Sequence, residues 1–276
     1  MMAHLITLLK TEYLKRKKTY WTPVWIIAGI MGGVILLGLI ASWTHKVDVQ
    51  VNMMDLSMFF EDMGKGMYVN AMGTMMLVVF AFSISLLINA PTSLSKEKQL
   101  GCDLFYRCQP INIWLNTAGK YIMHVLSGVL GVIVVGFIVT FILTIASAKA
   151  MGGFYLGAAL SGMFVAVVLY FKVCLVFGSL FFLFSAIFKN SAIVKGLITM
   201  ALIDFVFYLI EQIFRNTIDL PSIYQLLTSL LGDVNLNDPP GLGKMIWDVK
   251  FLISILFAGL CYTGGSLIYK YQRTEA

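Results

Sequence analysis

Charged residues are scarce in this sequence. Asp, Glu, Lys and Arg together make up 12% of its 276 residues, whereas soluble globular domains carry about 25%. Hydrophobic residues make up 59%. Apolar runs of roughly 20 residues, the length that crosses a bilayer as a helix, recur six times. The composition therefore excludes a soluble globular protein and predicts an all-α integral membrane protein with six transmembrane helices in a single domain, residues 1–276.

Patterned cysteines are also lacking. Two of the four cysteines, Cys102 and Cys108, lie in a polar stretch, and the other two, Cys174 and Cys261, lie inside apolar runs. Neither pair has a CxxC spacing or a histidine close by, which metal sites usually require. We therefore expect reduced thiols, no metal site and no disulfide framework.

Motifs of catalysis and nucleotide binding are missing too. The three histidines are scattered and belong to no HExxH or Ser-His arrangement, so a membrane-embedded enzyme is an alternative with little support and no catalytic residue is predicted. The segment GLGKM at 241–245 lacks the GxxxxGK[ST] spacing of a phosphate-binding loop. We expect that this chain binds no cofactor, no ATP and no nucleic acid by itself.

The six apolar runs place the predicted elements along the chain. An amphipathic helix over 4–20 is predicted to lie on an anionic membrane surface, because leucines recur at helical spacing beside a cluster of cations. Its anchoring residues are predicted to be Lys15, Arg16, Lys17 and Lys18. An ordinary basic anchor that only sets topology is the alternative. The spans are predicted over 22–43, 67–90, 121–147, 156–188, 192–214 and 248–269.

The connecting segments differ in charge, and this predicts the orientation of the chain. Thirteen Lys and Arg residues fall in the N-terminal arm, the segment 93–120, the turn 189–195 and the C-terminal tail, against six in the opposite segments. The positive-inside rule therefore predicts that both termini face the cytoplasm. The long outer segment 215–247 contains an amphipathic stretch, 221–231, that predicts a short helix at the outer surface.

The segment 93–120, called the bridge below, is the longest hydrophilic interruption that is also basic. Ser93 or Ser95 could cap a short helix there, with charged side chains directed to the cytosol and Leu94 directed to the membrane. Gly101 would permit close approach of another protein. Pro110 would end the segment. The residues predicted to contact a partner are Glu97, Lys98, Gly101, Cys102, Asp103, Leu104 and Phe105.

In this bridge the chain resembles the ABC type-2 transporter family, the permease subunits of many bacterial ABC exporters. The family pattern there is an acidic and basic cluster, a glycine, an acid, a proline and a Lys-Tyr pair. Glu97, Gly101, Asp103, Pro110 and the pair Lys120-Tyr121 fit it in that order. Lys98, Gln99 and Cys102 stand where the family has arginine, a second acid and threonine. The resemblance in layout extends over the whole chain.

The resemblance implies a membrane subunit of an ATP-driven exporter in the cytoplasmic membrane. The bridge would be a coupling helix seated on a separate cytosolic ATPase subunit, which would hold ATP and Mg. A second permease copy or a paralogue would complete the path. The cargo would be apolar or amphipathic, such as a lipid, a peptide or a drug-like molecule.

Three ionisable residues fall inside predicted spans: Lys172 mid-way along the fourth, and Asp204 and Glu211 on the fifth. Charges at such positions usually find a partner inside the bundle. Residue counting places Lys172 and Asp204 at similar depth on consecutive antiparallel helices, so we predict an intramembrane Lys172–Asp204 ion pair. It either locks two helices or contributes to a substrate path. In the latter case the alternative function is an ATP-independent secondary transporter or channel that uses Lys172, Asp204 and Glu211.

Overall fold

The computed structural model describes residues 2–44, 56–99, 112–151, 155–213, 221–232 and 248–271. This described part is all-helical. In chain order its helices are α1 (Met2–Thr44), α2 (Leu56–Gln99), α3 (Ile113–Met151), α4 (Leu156–Ile187), α5 (Ala192–Ile213), α6 (Ile223–Leu231) and α7 (Val249–Tyr271).

Five of these helices are long and apolar enough to cross a membrane. They are Lys65–Gln99 of α2, Ile113–Ile145 of α3, and the whole of α4, α5 and α7. The multi-pass helical architecture expected from the sequence is therefore confirmed at this level. The first predicted span, 22–43, forms the second half of α1, and its crossing of the membrane stays a prediction, as does the orientation of the termini.

The N-terminal arm and the first predicted span are joined in one helix of 43 residues. Leu8 packs against Gly119 of α3, and Val24 packs close to Gly131 further along the same helix. The arm therefore runs along α3 in the same direction and continues without a break into the first predicted span. Its contact with a membrane surface stays a prediction.

α4 is the central helix of the bundle, and it packs against α2, α3 and α7. Gly162 permits a close approach of α4 to α2, because a Cβ there would lie 2.9 Å from the backbone oxygen of Tyr68 on α2. Side chains at helical spacing fill the core between α2, α3 and α4: Met75, Val78, Phe82, Leu86, Val132, Val135, Val139, Met163, Ala166, Tyr170 and Cys174.

The long apolar run 156–188 is a continuous helix that contains one π-helical turn, Cys174–Gly178. A π turn carries an extra residue and usually interrupts the regular hydrogen-bond ladder at a place of structural or functional use. Here it begins two residues after Lys172. α5, by contrast, lies almost entirely on the outside of the bundle, with only Ala192 and Gly196 buried.

Candidate functional site

Polar and charged side chains gather at two levels of the apolar bundle. The bridge cluster consists of Glu97, Lys98, Lys120 and Tyr269, at the end of α2 where the bridge begins. The short-helix cluster consists of Lys172, Asp204, Asp248 and Ser254, which surround α6. Ala186, which contacts the bridge cluster, and Lys172 are 14 residues apart on α4, which places the two clusters about 21 Å from each other.

Glu97 and Lys98 belong to the bridge cluster because α2 is longer than the sequence predicted and includes both residues. The second span was predicted to end at residue 90, immediately before Pro91, but α2 continues through the proline to Gln99. Pro91 has no amide hydrogen to donate and crowds the preceding turn. The hydroxyls of Ser93 and Ser95 donate to the carbonyl oxygens of Ala90 (2.8 Å) and Pro91 (2.7 Å), so they brace the turn and do not cap a new helix.

α4 supplies a further contact at this turn. The Ser185 hydroxyl oxygen accepts hydrogen bonds from the backbone amides of Leu94 (2.8 Å) and Ser95 (3.1 Å). Ser185 is fully buried, so water cannot replace it. This side chain therefore ties the proline-containing turn of α2 to α4.

An ion pair joins the two sides of the bridge. The Lys120 ammonium group donates to the Glu97 carboxylate, and both residues are buried, at 2% and 9% exposure. The Tyr269 hydroxyl donates to the same carboxylate at 3.3 Å. Glu97 lies at the end of α2 and Lys120 in α3, so the pair closes the bridge at its base and connects it to α7.

Lys98 extends the cluster to α4. Its ammonium group donates to the backbone oxygen of Ala186 and lies 5.6 Å from the centre of the Tyr269 ring. The next residue, Gln99, donates through its side chain to the backbone oxygen of Lys189 at 3.1 Å. The end of α2 is therefore fixed to the end of α4 and to the turn that follows it through two consecutive residues, Lys98 and Gln99.

Two expectations for these residues are corrected. The charged side chains were predicted to point into the cytosol, but Glu97 and Lys98 are buried inside the chain, because each has a partner on a neighbouring helix. Their contact with a partner subunit stays a prediction. Leu94 was predicted to face the membrane, but it is fully buried inside the bundle. Gly101, Cys102, Asp103, Leu104 and Phe105 lie outside the described residues, so their predicted role in partner contact stays a prediction.

α3 and α7 are also joined by polar contacts near the bridge. The hydroxyls of Thr117 and Ser266 lie 2.9 Å apart and are both buried. The Tyr262 hydroxyl donates to the backbone oxygen of Trp114 at 2.6 Å. The Asn112 side chain accepts from the Trp114 amide at 3.0 Å and caps the start of α3. The first turns of α3 are thus anchored to α7.

The short-helix cluster replaces the predicted Lys172–Asp204 ion pair, which does not form. The Asp204 carboxylate accepts a hydrogen bond from the amide of Ile223, the first residue of α6, at 2.5 Å. The Lys172 ammonium group lies 3.5 Å from the backbone oxygen of Leu231, the last residue of α6. Nine helical residues separate the two side chains by about 13 Å.

The two charges complement the ends of α6. A helix N-terminus carries partial positive charge and its C-terminus partial negative charge, so a carboxylate at Ile223 and an ammonium group at Leu231 are both favourable. Counting residues along the spans gave a similar depth for Lys172 and Asp204, but it could not show that a third helix lies between them. Glu211 is half-buried two turns beyond Asp204, and its role in a path stays a prediction.

α6 itself begins and ends on local signals in the sequence. Ser222 caps it: its hydroxyl oxygen accepts from the Gln225 amide at 3.0 Å, and the Gln225 side chain accepts from the Ser222 amide at 3.0 Å. This reciprocal capping box starts the helix at residue 223, two residues later than expected. Gly232 ends it with a φ of +86°, a conformation that favours glycine.

The end of α6 contacts the beginning of α7. The Ser254 hydroxyl donates to the backbone oxygen of Leu230 at 3.2 Å. The Asp248 side chain accepts from the Lys250 amide at 3.2 Å and caps α7. A Cβ at Gly232 would lie within 4 Å of both the Lys172 ammonium group and the Asp248 carboxylate. These charges therefore approach each other at the point where α6 ends.

The arm residues predicted to bind the membrane surface are placed in part. Lys17 and Lys18 are exposed on α1, as membrane-surface contact requires. The side chains of Lys15 and Arg16 lie outside what the structure describes.

Comparison of the chain with protein-family models, with curated proteins and with solved structures finds no match. Its function must therefore be inferred from the arrangement of its own residues.

Sequence reasoning missed four residues of these sites: Ser185, Tyr269, Asp248 and Ser254. Serines and tyrosines are common in apolar helices, so nothing in their local sequence distinguishes them. A signal did exist for Lys120, which was matched to the family pattern as the residue that opens the third span. Because Glu97 belongs to the same pattern, a Glu97–Lys120 contact between the two ends of the bridge could have been predicted from the sequence.

Proposed function

We propose that this chain is the membrane permease subunit of an ATP-driven exporter of the ABC type-2 class. It moves an apolar or amphipathic cargo across the cytoplasmic membrane with a separate ATPase subunit, which holds ATP and Mg. The bridge receives the movement of that subunit. A second copy or a related chain completes the path.

One observation carries the proposal: both sides of the bridge are anchored in the helical bundle by buried polar contacts. Glu97 on one side pairs with Lys120 on the other. A buried ion pair that loses one partner costs about 3–5 kcal/mol, so the two helix ends strongly resist separation. A force applied to residues 100–111 would therefore displace the ends of α2 and α3 together.

The same contacts would distribute that displacement through the bundle. Lys98 and Ser185 join the end of α2 to α4. Thr117 and Tyr262 join the start of α3 to α7. Four of the five apolar spans are therefore coupled to the bridge. A permease that alternates between two packings needs such discrete connections, because packed interfaces shift between states and do not deform continuously.

The alternative, an ATP-independent transporter or channel, has less support. It depended on Lys172, Asp204 and Glu211 as polar groups along a path. Asp204 is engaged by the start of α6 and Lys172 by its end. An ion or proton path through these two groups would first require α6 to leave them.

The test is reconstitution with the ATPase. The tagged chain is purified from its native membrane, a co-purifying protein with a phosphate-binding loop is identified by mass spectrometry, and both proteins are placed in vesicles. We expect the permease to stimulate ATP hydrolysis. Gly101→Trp in the bridge should abolish both co-purification and stimulation.

Gly157→Trp is the matched control, because Gly157 is exposed at the opposite end of the bundle and a Cβ there meets nothing within 4 Å. It should leave both readouts unchanged. Equal loss in the two variants, or leakage of ions through vesicles that contain the chain alone, would reject the proposal and favour the ATP-independent alternative.

A further inference from the structure

A groove lies between α1 and α3 at the end of the bundle where the bridge begins. Its volume is about 150 Å³, and it opens towards the outside of the bundle. The lining is almost entirely apolar and aromatic: Tyr13, Trp21 and Val24 from α1, and Met123, Leu126, Ser127, Leu130 and Gly131 from α3. In a membrane such a groove is in contact with lipid.

The α1 side of the groove also carries cations. Lys10, Tyr13, Lys17, Trp21 and Val24 are spaced three or four residues apart, so they share one face of the helix. Lys10 and Lys17 are both exposed. The face of α1 that lines the groove therefore alternates between positive charge and aromatic rings.

The groove begins at the polar end of the bundle and extends into the apolar layer. Lys120, in the buried ion pair with Glu97, lies three residues before Met123, the first groove residue of α3. From Met123 to Gly131 α3 rises about 12 Å. Lys10 and Lys17 thus lie near the level of lipid headgroups, whereas Val24 and Gly131 lie at the level of acyl chains.

The Tyr13 hydroxyl is a polar group between the level of the lipid headgroups and the level of the acyl chains. The Trp21 indole nitrogen donates to the Tyr13 hydroxyl oxygen at 2.9 Å. A hydroxyl can accept one hydrogen bond and donate another, so the Tyr13 proton remains available to a phosphate or ester oxygen. Tyrosine and tryptophan are favoured at this boundary because each has an apolar ring and a polar atom.

We propose that this groove is a binding site for one anionic phospholipid. An acyl chain lies along Val24, Leu126 and Leu130, and the headgroup phosphate binds Lys17 and Lys10, with the Tyr13 hydroxyl as a further donor. The occupant is chosen by charge complementarity: the α1 face offers two exposed ammonium groups directly beside an apolar channel, and an anionic lipid combines both features in one molecule.

This site differs from general attraction of a basic arm to an anionic surface. General attraction depends on the number of cations and is similar for each of them, about 1 kcal/mol per Lys or Arg. A built site depends on position, so Lys17 should matter and its neighbour Lys18, which lies about 100° further around α1, should not. The inference does not require ATP-driven transport, and either proposal can fail without the other.

Native mass spectrometry of the purified full-length chain tests the site. The chain is delipidated and titrated with phosphatidylglycerol or with phosphatidylcholine of the same acyl chains. We expect one phosphatidylglycerol to bind at a concentration at least tenfold lower than phosphatidylcholine. Lys17→Gln should weaken phosphatidylglycerol binding about fivefold, and Lys18→Gln less than twofold.

Ser127→Phe tests the apolar part of the groove. Ser127 is half-buried, and its hydroxyl donates only within α3, to the His124 backbone oxygen, so its loss should leave the fold intact. The added ring should reduce binding of both lipids. Equal effects of Lys17→Gln and Lys18→Gln, or unchanged lipid binding in Ser127→Phe, would overturn the proposal.

A fluorescence measurement tests the site independently of Ser127→Phe, in case that variant does not fold. Bromine atoms on an acyl chain quench a nearby indole, and the Trp21 contribution is the difference between the wild-type chain and Trp21→Phe. Brominated phosphatidylglycerol at low mole fraction should quench this contribution more than brominated phosphatidylcholine. Equal quenching by the two lipids would also overturn the proposal.

Discussion

The bridge cluster and the short-helix cluster both place charged groups inside an apolar bundle, but they satisfy them differently. In the bridge cluster Glu97 and Lys120 pair with each other, between long helices that pack along much of their length. In the short-helix cluster Lys172 and Asp204 contact the backbone ends of a nine-residue helix, of which only Leu227 is buried. The first arrangement holds the bundle together, whereas the second holds one small element in place.

The comparison indicates where each region can move. Separation of the bridge cluster would leave charges buried without partners. Release of α6 would expose little apolar surface, because only Leu227 of this helix is buried. Without its attachments a helix of nine residues is also only marginally stable. We therefore expect the bridge end to move as one unit and α6 to open locally. Four predictions test this contrast, in order of decreasing effect.

The largest effect is expected from Lys120→Met. The substitution leaves the Glu97 carboxylate buried without its cation, and it should destabilise the chain by about 3–5 kcal/mol. Thermal unfolding in detergent measures the loss. The double variant Glu97→Gln with Lys120→Met should recover much of it, since no charge is then left unpaired. A Tm equal to that of the wild-type chain for Lys120→Met alone would contradict the prediction.

A smaller global effect is expected from Ser185→Ala. It removes the acceptor of the Leu94 and Ser95 amides at a buried site, which costs about 1–3 kcal/mol. Ser83→Ala is the matched control, because the Ser83 hydroxyl donates only to Val79 of its own helix. The difference in free energy of unfolding between the two variants isolates the α2–α4 contact, and no difference would show that this contact is dispensable.

Lys172→Met applies the substitution used at Lys120 to the other cluster. The Lys172 ammonium group contacts a backbone oxygen at the end of α6, and the nearby Asp248 is only half-buried, so the substitution leaves no fully buried carboxylate without its cation. A cation at a helix C-terminus contributes about 0.3–1 kcal/mol, so the global stability should change by less than about 1 kcal/mol. Thermal unfolding of Lys172→Met and Lys120→Met under the same conditions compares the two losses of stability. A loss as large as that of Lys120→Met would mean that the short-helix cluster also holds the bundle together.

The smallest effect is expected from Asp204→Asn, and it should be local. A carboxylate at a helix N-terminus contributes about 0.3–1 kcal/mol, so the amides of Ile223–Leu231 should exchange with solvent about two- to fivefold faster. Hydrogen exchange followed by mass spectrometry measures this, with Glu211→Gln on the same helix as control. Faster exchange in α7 or α2 would indicate that α6 does not open independently.

Much of the fold could be predicted from the sequence, because the length and spacing of apolar runs are read directly from the residues. Five of the six predicted spans correspond to helices that can cross a membrane. The boundary at Pro91 was wrong, since two serines and Ser185 compensate for the proline. The polar sites were predicted less well: Glu97, Lys98, Lys172 and Asp204 were identified, but their contacts inside the bundle were not, and the predicted Lys172–Asp204 pair was wrong.

The sequence by itself determined the membrane character of the chain, the places and order of five of its apolar helices, and which of its few charges need a partner. These properties depend on composition and periodicity, which are local. Only the tertiary structure decided that Glu97 pairs with Lys120 and that Asp204 and Lys172 hold opposite ends of α6. A pairing depends on how each helix is rotated and which element lies between, and packing of the whole bundle sets both.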